Sequence, residues 1–243
     1  MIVAAAVVPV PPLLVPQIAG GSAHRDENLR SAALTAVARV LATGPQRVVV
    51  VGAARTTGSL SGQPDWHPFG VPLPRPRPAL RLPLAHGIGA WLLAEAGCAV
   101  PVEYLGVASE APTATCVELG QALASADVRT AVLACGDGTA RRDEKAPGHL
   151  SPAAAGFDAH VDAALRTADP EALLAVDVAE ARDLWASGRT AWQVLAGAAA
   201  AGSWNGEVTY AAEPYGVHYV VATWLPSGSG PRDDGQEAPP PAA

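Results

Sequence analysis

Short apolar runs alternate with segments of helical periodicity along most of the chain. Each run has five to nine residues, and most runs have the continuous apolar character of strands that are buried on both faces of a sheet. The runs that predict strands are Ile2 to Val8, Arg47 to Val51, Val100 to Val107, Ala131 to Cys135, Glu207 to Ala212 and Val217 to Leu225.

The segments between these runs carry apolar residues at intervals of three and four, which is the period of an amphipathic helix. In the first segment, from about Arg25 to Ala42, Leu29, Ala33 and Val37 share one helical face, and Gly44 supplies a stop. The other segments that predict helices are 84–96, 113–124, 152–167, 170–176, 178–186 and 189–201.

This alternation predicts a single three-layer α/β/α domain over residues 1–225, with a mostly parallel or mixed central sheet of at least six strands. The first strand, helix and strand predict a parallel pair joined by a right-handed crossover. Residues 226–243 are rich in Pro, Gly and Ala, so we expect a disordered tail there.

Residues 53–83 contain seven prolines, which remove backbone hydrogen-bond donors, and we expect no regular structure in this segment. A loop of this length in a compact domain is typically either a flap over a site or a mobile surface excursion. Trp66, His67 and Phe69 supply side chains that can pack, which favours an ordered flap over the mobile loop.

Composition narrows the possible partners. Charged residues are only 16% of the chain, below the usual value of about a quarter, and the net charge is −7. We therefore expect no nucleic-acid partner, since the only basic cluster, Arg75, Arg77 and Arg81, is separated by prolines. We also expect no membrane span, because no stretch approaches the ~20 apolar residues that a spanning helix needs.

Three widely spaced cysteines in apolar contexts, Cys98, Cys116 and Cys135, predict reduced core thiols of a cytoplasmic protein.

The strand predicted at 131–135 runs directly into the turn Gly136-Asp137-Gly138, which is followed by Arg141 and Arg142. Open α/β sheets build their binding sites in such polar loops, just past the carboxyl ends of buried strands. We therefore place the functional cleft here, beside the ends of the strands predicted at 2–8 and 47–51.

Asp137 and the two arginines allow two interpretations. In the functional one, they form an anion-binding pocket in which an arginine fork binds two oxygens of the ligand. In the structural one, Asp137 caps the turn, and the arginines are solvated or pair with Asp143 and Glu144. The structural interpretation is favoured for Arg142, and both remain open for Asp137 and Arg141. Asp158 is interpreted as a helix-surface group.

Several motifs together resemble those of one family. They are Val-Pro-Val-Pro-Pro-Leu-Leu-Val-Pro at 8–16, Val-Val-Val-Val-Gly at 48–52, Cys-Gly-Asp-Gly-Thr-Ala-Arg-Arg at 135–142, Ala-Pro-Gly at 146–148, Phe-Asp at 157–158 and Glu-Pro-Tyr-Gly-Val-His-Tyr at 213–219. Their order and spacing resemble the catalytic subunit of class III extradiol ring-cleavage dioxygenases and the Memo-like proteins, most of all short, alanine-rich actinobacterial members. The resemblance covers residues 1–225. It implies a ferrous ion held by two histidines and a carboxylate, with another histidine as acid/base.

The positions that the resemblance assigns to these histidines hold other residues. The first is Val10, the second falls at 53–55, where the chain reads Ala-Ala-Arg, and the acid/base position is Ala140. Valine and alanine have no lone pair for a metal, and the charge of Arg55 repels one. The carboxylate position is left to Glu207 or Glu213.

We therefore expect a degenerate metal site without bound cofactor, in a noncatalytic protein that binds a small anionic ligand or a protein partner. One alternative is an active Fe(II) dioxygenase with relocated ligands, in which His67 and His149 meet across the cleft and Asp137 or Glu213 adds a carboxylate. Another is a homo-oligomeric interaction protein that associates through Trp66 and its alanine-rich helices. The residues that we place at the cleft are Val10, Arg55, Asp137, Thr139, Ala140, Arg141, His149, Glu213 and Tyr215.

Overall fold

A computed structural model describes residues 1–72 and 80–228, except for the side chains of residues 23 and 24. Within the described residues, the strands are β1 (Ile2–Val8), β2 (Arg47–Ala54), β3 (Gly58–Leu60), β4 (Val102–Ala108), β5 (Thr130–Cys135), β6 (Trp204–Ala212) and β7 (Tyr219–Pro226). They form one mixed sheet in the order β3-β4-β2-β5-β1-β7-β6.

The α-helices of the same residues lie on both faces of this sheet. They are α1 (Pro16–Ala19), α2 (Glu27–Ala42), α3 (Leu84–Glu95), α4 (Thr113–Ser125), α5 (Ala154–Thr167), α6 (Pro170–Leu174), α7 (Val178–Asp183) and α8 (Arg189–Ala199). None of the helices in the described part of the chain is long and apolar enough to cross a membrane.

The sheet separates two apolar cores. Ala4, Ala6 and Val8 of β1 face the core formed with α2 and α3, whereas Ala5 and Val7 face the core formed with α4, α5 and α8. Successive residues of a strand point to opposite faces, so a strand covered on both sides is apolar at every position. The predicted three-layer α/β/α fold with a mixed sheet is therefore confirmed.

The central strands β4, β2, β5 and β1 are mutually parallel, and the edge strands are antiparallel to their neighbours. The prediction that β1 and β2 pair directly is wrong, because β5 lies between them. Val8 and Gly52 both pair with Cys135, so the carboxyl ends of these three strands lie side by side. This confirms the expected position of the three strand ends.

The expectation of no regular structure over 53–83 is wrong at β3, which pairs with β4, and at the end of β2. The base of the loop is closed where the Gln63 and Leu82 amides donate to the carbonyls of Leu80 and Gln63. Trp66 packs on α3, where a Cβ added to Gly87 would lie 3.3 Å from the indole ring. The described residues do not include Arg75, Arg77 or the last fifteen residues of the predicted tail, 229–243.

Candidate functional site

The carboxyl ends of β1 and β5 lie side by side, since Val8 pairs with Cys135. The chain leaves β1 toward α2 on one face of the sheet and leaves β5 toward α5 on the other. Such a divergence is where open α/β sheets bind ligands. Val10 and Asp137 follow the two strands, and the Val10 amide donates to Asp137 Oδ1 at 2.7 Å. The carboxylate of Asp137 therefore joins the two loops that follow these strand ends.

The surroundings of Asp137 change its acidity. Its amide donates to Ser187 Oγ at 2.9 Å, and its carbonyl accepts from the Gly188 amide at 2.9 Å. Burial raises the pKa of the Asp137 carboxyl to about 7, against the opposing effects of the Val10 amide and the charge of His218. Near neutral pH the group therefore exists in both its protonated and its ionised form. A carboxyl with this property can accept or donate a proton.

A buried network begins at Thr139. Asp158 accepts from the Thr139 amide at 2.9 Å, from its hydroxyl at 2.7 Å and from the Arg142 guanidinium at 3.0 Å. The interpretation of Asp158 as a surface group is wrong, since this residue is 1% exposed. Arg142 also donates to Glu213 at 3.2 Å. Its partners are thus Asp158 and Glu213, and not the neighbouring acids Asp143 and Glu144 that the sequence offered.

His218 fixes the same loop from the other side. Its backbone carbonyl accepts from the Gly138 amide, its own amide donates to the Thr139 carbonyl, and both distances are 2.8 Å. Position 138 requires glycine, because a Cβ there would lie 2.7 Å from His218 Cδ2. The imidazole donates from Nε2 to Asp162 at 2.9 Å. Burial lowers the pKa of His218, but the bond to Asp162 and the charges of Asp158 and Asp162 outweigh burial and raise it overall.

Two other residues that we placed at the cleft bind loop segments of the protein. Arg141 donates to the backbone carbonyls of His149 and Asp183, at 3.2 and 2.9 Å. The Tyr215 hydroxyl donates to the carboxylate of Asp26 at 3.0 Å. Because Arg141 and Arg142 are both engaged within the chain, the arginine fork that the functional interpretation required gains no support.

The residues at this edge do not fit the ferrous ion that the resemblance implies. Val10 and Ala140 belong to one buried apolar cluster, so their positions offer carbon atoms and no ligands. Within the described residues, no group of three or more His, Cys, Asp and Glu side chains could hold a metal ion. Relocated ligands that include His67 and His149 therefore gain no support from the geometry. A facial triad needs two imidazoles and a carboxylate converging on one point.

Beside the ends of β1 and β5, the carboxyl ends of β2 and β4 border an open cleft of about 790 Å³. Ala53, Ala54 and Ala108 line its floor with small side chains, and Arg55, Arg81 and Glu110 also line it. Arg81 pairs with Asp65 at 3.0 Å. The exposed Arg55 guanidinium has no hydrogen bond or ion pair to any residue that the structure describes. This cleft thus presents an unneutralised cation to solvent.

The buried residues Asp158 and His218, and the half-buried Asp162, were not among the predicted cleft residues. Asp158 follows Ala154 by four positions and precedes Val161 by three, so it lies on the buried face of α5. That spacing is the signal from which its burial could have been predicted. His218 carries no comparable signal, because its partner Asp162 is 56 residues away in sequence.

Comparisons with known proteins extend to the fold alone. No protein-family model matches the chain, and no curated protein matches it in sequence. The structure is similar to the crystal structure of the uncharacterized protein JW3007 from Escherichia coli K12, with a TM-score of 0.54 and 16% sequence identity. The match covers 92% of this chain and 99% of that chain. At this identity, the likeness shows a shared α/β architecture.

Proposed function

We propose that this protein is a noncatalytic relative of the class III extradiol dioxygenases that binds a small anionic molecule in the cleft between the ends of β2 and β4. The observation that carries the proposal is the guanidinium of Arg55, which lines this cleft without an ion-pair partner among the described residues. A guanidinium presents parallel N–H donors that match the two oxygens of a carboxylate. The ligand is therefore a carboxylate or a similar oxyanion.

The remaining lining limits the class of ligand. The volume of about 790 Å³ lies within the usual range for small-molecule sites, roughly 300–1,000 Å³. Glu110 contributes a carboxylate to the wall, which repels a second anionic group. Arg81 is already paired with Asp65 and attracts anions less strongly than Arg55. A molecule with one anionic group and a compact body fits these walls.

The residues at the ends of β1 and β5 support a noncatalytic function. Ring cleavage in the resembled family depends on ferrous iron, and protein side chains do not activate dioxygen by themselves. Val10 and Ala140 place buried carbon atoms where that family has imidazoles. Buried free thiols at Cys116 and Cys135 agree with a cytoplasmic location.

A titration with 3,4-dihydroxybenzoate tests the proposal, since this probe combines one carboxylate with a catechol ring. We expect saturable binding in calorimetry, and we expect Arg55→Ala to weaken it at least about tenfold, as for other charge-assisted contacts. Arg81→Ala is the matched control, because it removes an arginine from the same cleft that is already neutralised by Asp65. We expect this variant to change the affinity by less than about threefold.

Two results would contradict the proposal. Equal affinity in the wild type and Arg55→Ala would remove the residue on which the binding argument rests. Stoichiometric iron in protein grown with iron, together with oxygen uptake on addition of 3,4-dihydroxybenzoate, would establish the active dioxygenase instead. Light scattering at high protein concentration tests the homo-oligomer separately, and a monomer would exclude that alternative.

A further inference from the structure

The start of β7 lies at the same edge of the sheet as Asp137. Tyr219 is the first residue of β7, and this strand runs antiparallel to β1 with Ala222 opposite Val7. Tyr219 belongs to the same buried cluster as Val10, which follows β1. The Val10 amide in turn donates to Asp137. The strand start, the loop after β1 and the loop after β5 thus meet around Tyr219.

The hydroxyl of Tyr219 has no partner within the described part of the chain. The residue is 5% exposed, and its hydroxyl makes no hydrogen bond to a residue that the structure describes. The hydroxyl is also not one of the unpartnered polar atoms that are sealed from solvent, so the small exposed part of this side chain includes it. A phenol hydroxyl can both donate and accept a hydrogen bond, so this group is available to a bound molecule.

Two carboxylates act on this hydroxyl. Burial raises the pKa of Tyr219, and the negative charges of Asp137 and Asp26 raise it further. Such an effect requires that both charges lie near the hydroxyl. The cations that act on this region, His218 and the exposed Arg25, form no ion pair with either aspartate among the described residues. The surroundings of the hydroxyl are therefore negative.

Asp26 does not fill the role that its position in the chain suggests. It is the N-cap residue of α2, yet its side chain accepts no hydrogen bond from the first turn of that helix. It is 5% exposed and accepts from the Tyr215 hydroxyl at 3.0 Å, which is its only side-chain donor among the described residues. A buried carboxylate with one neutral donor is poorly compensated, and a bound cation would supply the missing positive charge.

Asp137 also retains an unused acceptor. Its Oδ1 accepts from the Val10 amide at 2.7 Å, and its Oδ2 accepts no hydrogen bond from the described residues. The residue is half-buried, so the carboxylate is not sealed from solvent. Asp26, Asp137 and Tyr219 together offer three oxygen acceptors. A primary ammonium group carries three N–H donors and one positive charge, which matches this set.

We propose that Asp26, Asp137 and the hydroxyl of Tyr219 bind the ammonium group of a primary organic amine. Val10 and Val217 belong to the apolar cluster of Tyr219, which favours an apolar body on the amine. A divalent metal is a poorer occupant, since no three His, Cys, Asp or Glu side chains of the described residues could hold one. The residues and the charge of the ligand differ from those of the cleft after β2 and β4, so this inference does not depend on the function proposed there.

Calorimetric titration of the full chain with benzylamine tests the site. The measurement is made at pH 8, where Asp137 is largely ionised and the amine is still protonated. We expect saturable binding. Benzyl alcohol has a similar shape without charge, and benzyltrimethylammonium has the charge without an N–H donor. Each should bind at least about tenfold more weakly than benzylamine, and equal affinities for the three probes would overturn the proposal.

Tyr219→Phe removes only the hydroxyl and should weaken benzylamine binding about tenfold, as expected for a hydrogen bond to a charged group. Because this hydroxyl has no partner among the described residues, the variant should melt at nearly the wild-type temperature. Tyr104→Phe is the matched control, since β4 is separated from β7 by three strands. It should leave the affinity unchanged. An unchanged affinity in Tyr219→Phe would overturn the proposal.

Two further variants test the charge and the location of the site. Asp26→Asn keeps an oxygen for the Tyr215 hydroxyl, and the loss of its charge should weaken benzylamine binding at least about tenfold. Arg55→Ala should leave benzylamine binding unchanged, because Arg55 lines the other cleft. Absence of saturable binding, or a loss of binding in Arg55→Ala, would overturn the proposal. Neither result would alter the outcome of the 3,4-dihydroxybenzoate titration, which depends on an anionic group that benzylamine lacks.

Discussion

At the carboxyl edge of the sheet, the half that follows β1 and β5 and the half that follows β2 and β4 use polar side chains in different ways. In the first half, Thr139, Arg142 and Asp158 bind one another in a buried network. In the second half, Arg55 lines an open cleft without a partner among the described residues. Both halves occupy the place where this class of sheet binds ligands.

The comparison shows that position at a strand end does not by itself identify a binding residue. A polar group whose hydrogen bonds are completed within the protein contributes to the stability of the loop, and a ligand would have to displace those partners. A polar group without internal partners can bind a ligand without breaking hydrogen bonds within the protein. We therefore expect substitutions in the first half to change the free energy of unfolding and substitutions in the second half to change binding.

The largest effect on stability is expected for Asp158→Asn. The side-chain NH2 group of asparagine would face donors from Thr139 and Arg142, and Arg142 would keep only its exposed ion pair with Glu213. We expect the free energy of unfolding to fall by about 3 kcal/mol, measured by urea denaturation. Glu213→Gln is the matched control at the exposed end of Arg142, and its effect should stay below about 1 kcal/mol. If both variants lost a similar free energy of unfolding, the buried Arg142–Asp158 pair would be no more stabilising than the exposed Arg142–Glu213 pair, which would contradict the prediction.

A smaller effect that depends on pH is expected from Asp137. Its pKa is about 7 in the folded protein and close to the ordinary value of 3.8 in the unfolded chain. As the pH rises from 4 to 7, the unfolded chain therefore releases a proton that the folded protein retains, and stability falls. Asp137→Asn keeps an oxygen for the Val10 amide and does not titrate. Its stability relative to the wild type should rise on the order of 2 kcal/mol across this window.

Urea denaturation of both proteins at several pH values between 4 and 8 measures this difference, and the other carboxylates cancel in the comparison. His218 is common to both proteins. Its raised pKa stabilises the fold below its ordinary value of 6.5 and this contribution is lost above the folded pKa. A stability difference that stays constant with pH would show that Asp137 has the same pKa in the folded protein and the unfolded chain, and that burial does not control its acidity.

The fold was largely predictable because β1, β2 and β5 are buried on both faces. The apolar run of β1 gave the bounds Ile2–Val8 directly, and the run of β5 differed from the structure by one residue. The order of strands was not predictable in the same way. Continuous apolar runs specify burial and not neighbours, so the insertion of β5 between β1 and β2 depends on contacts between distant segments.

The candidate site was less predictable, because its contacts also join residues that are distant in the sequence. Arg142 has acidic neighbours in the sequence, yet its partners lie 16 and 71 residues away. Thr139 and Asp137 were correctly placed at the end of β5, but their bonds to Asp158 and Val10 cross from one segment to another. Residue type and strand position thus indicate where polar groups gather. Which of them remain available for a ligand is decided by packing.

The smallest effect on stability is expected for Arg55→Ala, at the open cleft. The guanidinium of Arg55 is exposed and makes no hydrogen bond to the described residues, so its loss should change the free energy of unfolding by less than about 0.5 kcal/mol. Arg47→Ala is the matched control, because Arg47 begins β2 and Arg55 directly follows the end of that strand. Arg47 donates to Thr130 Oγ1 at 2.9 Å and to both oxygens of Glu103 at 3.1 Å, and its loss should cost about 1 kcal/mol. Thermal melts of the two variants without ligand measure this contrast, and a loss in Arg55→Ala as large as that in Arg47→Ala would show that Arg55 serves the fold and not the cleft.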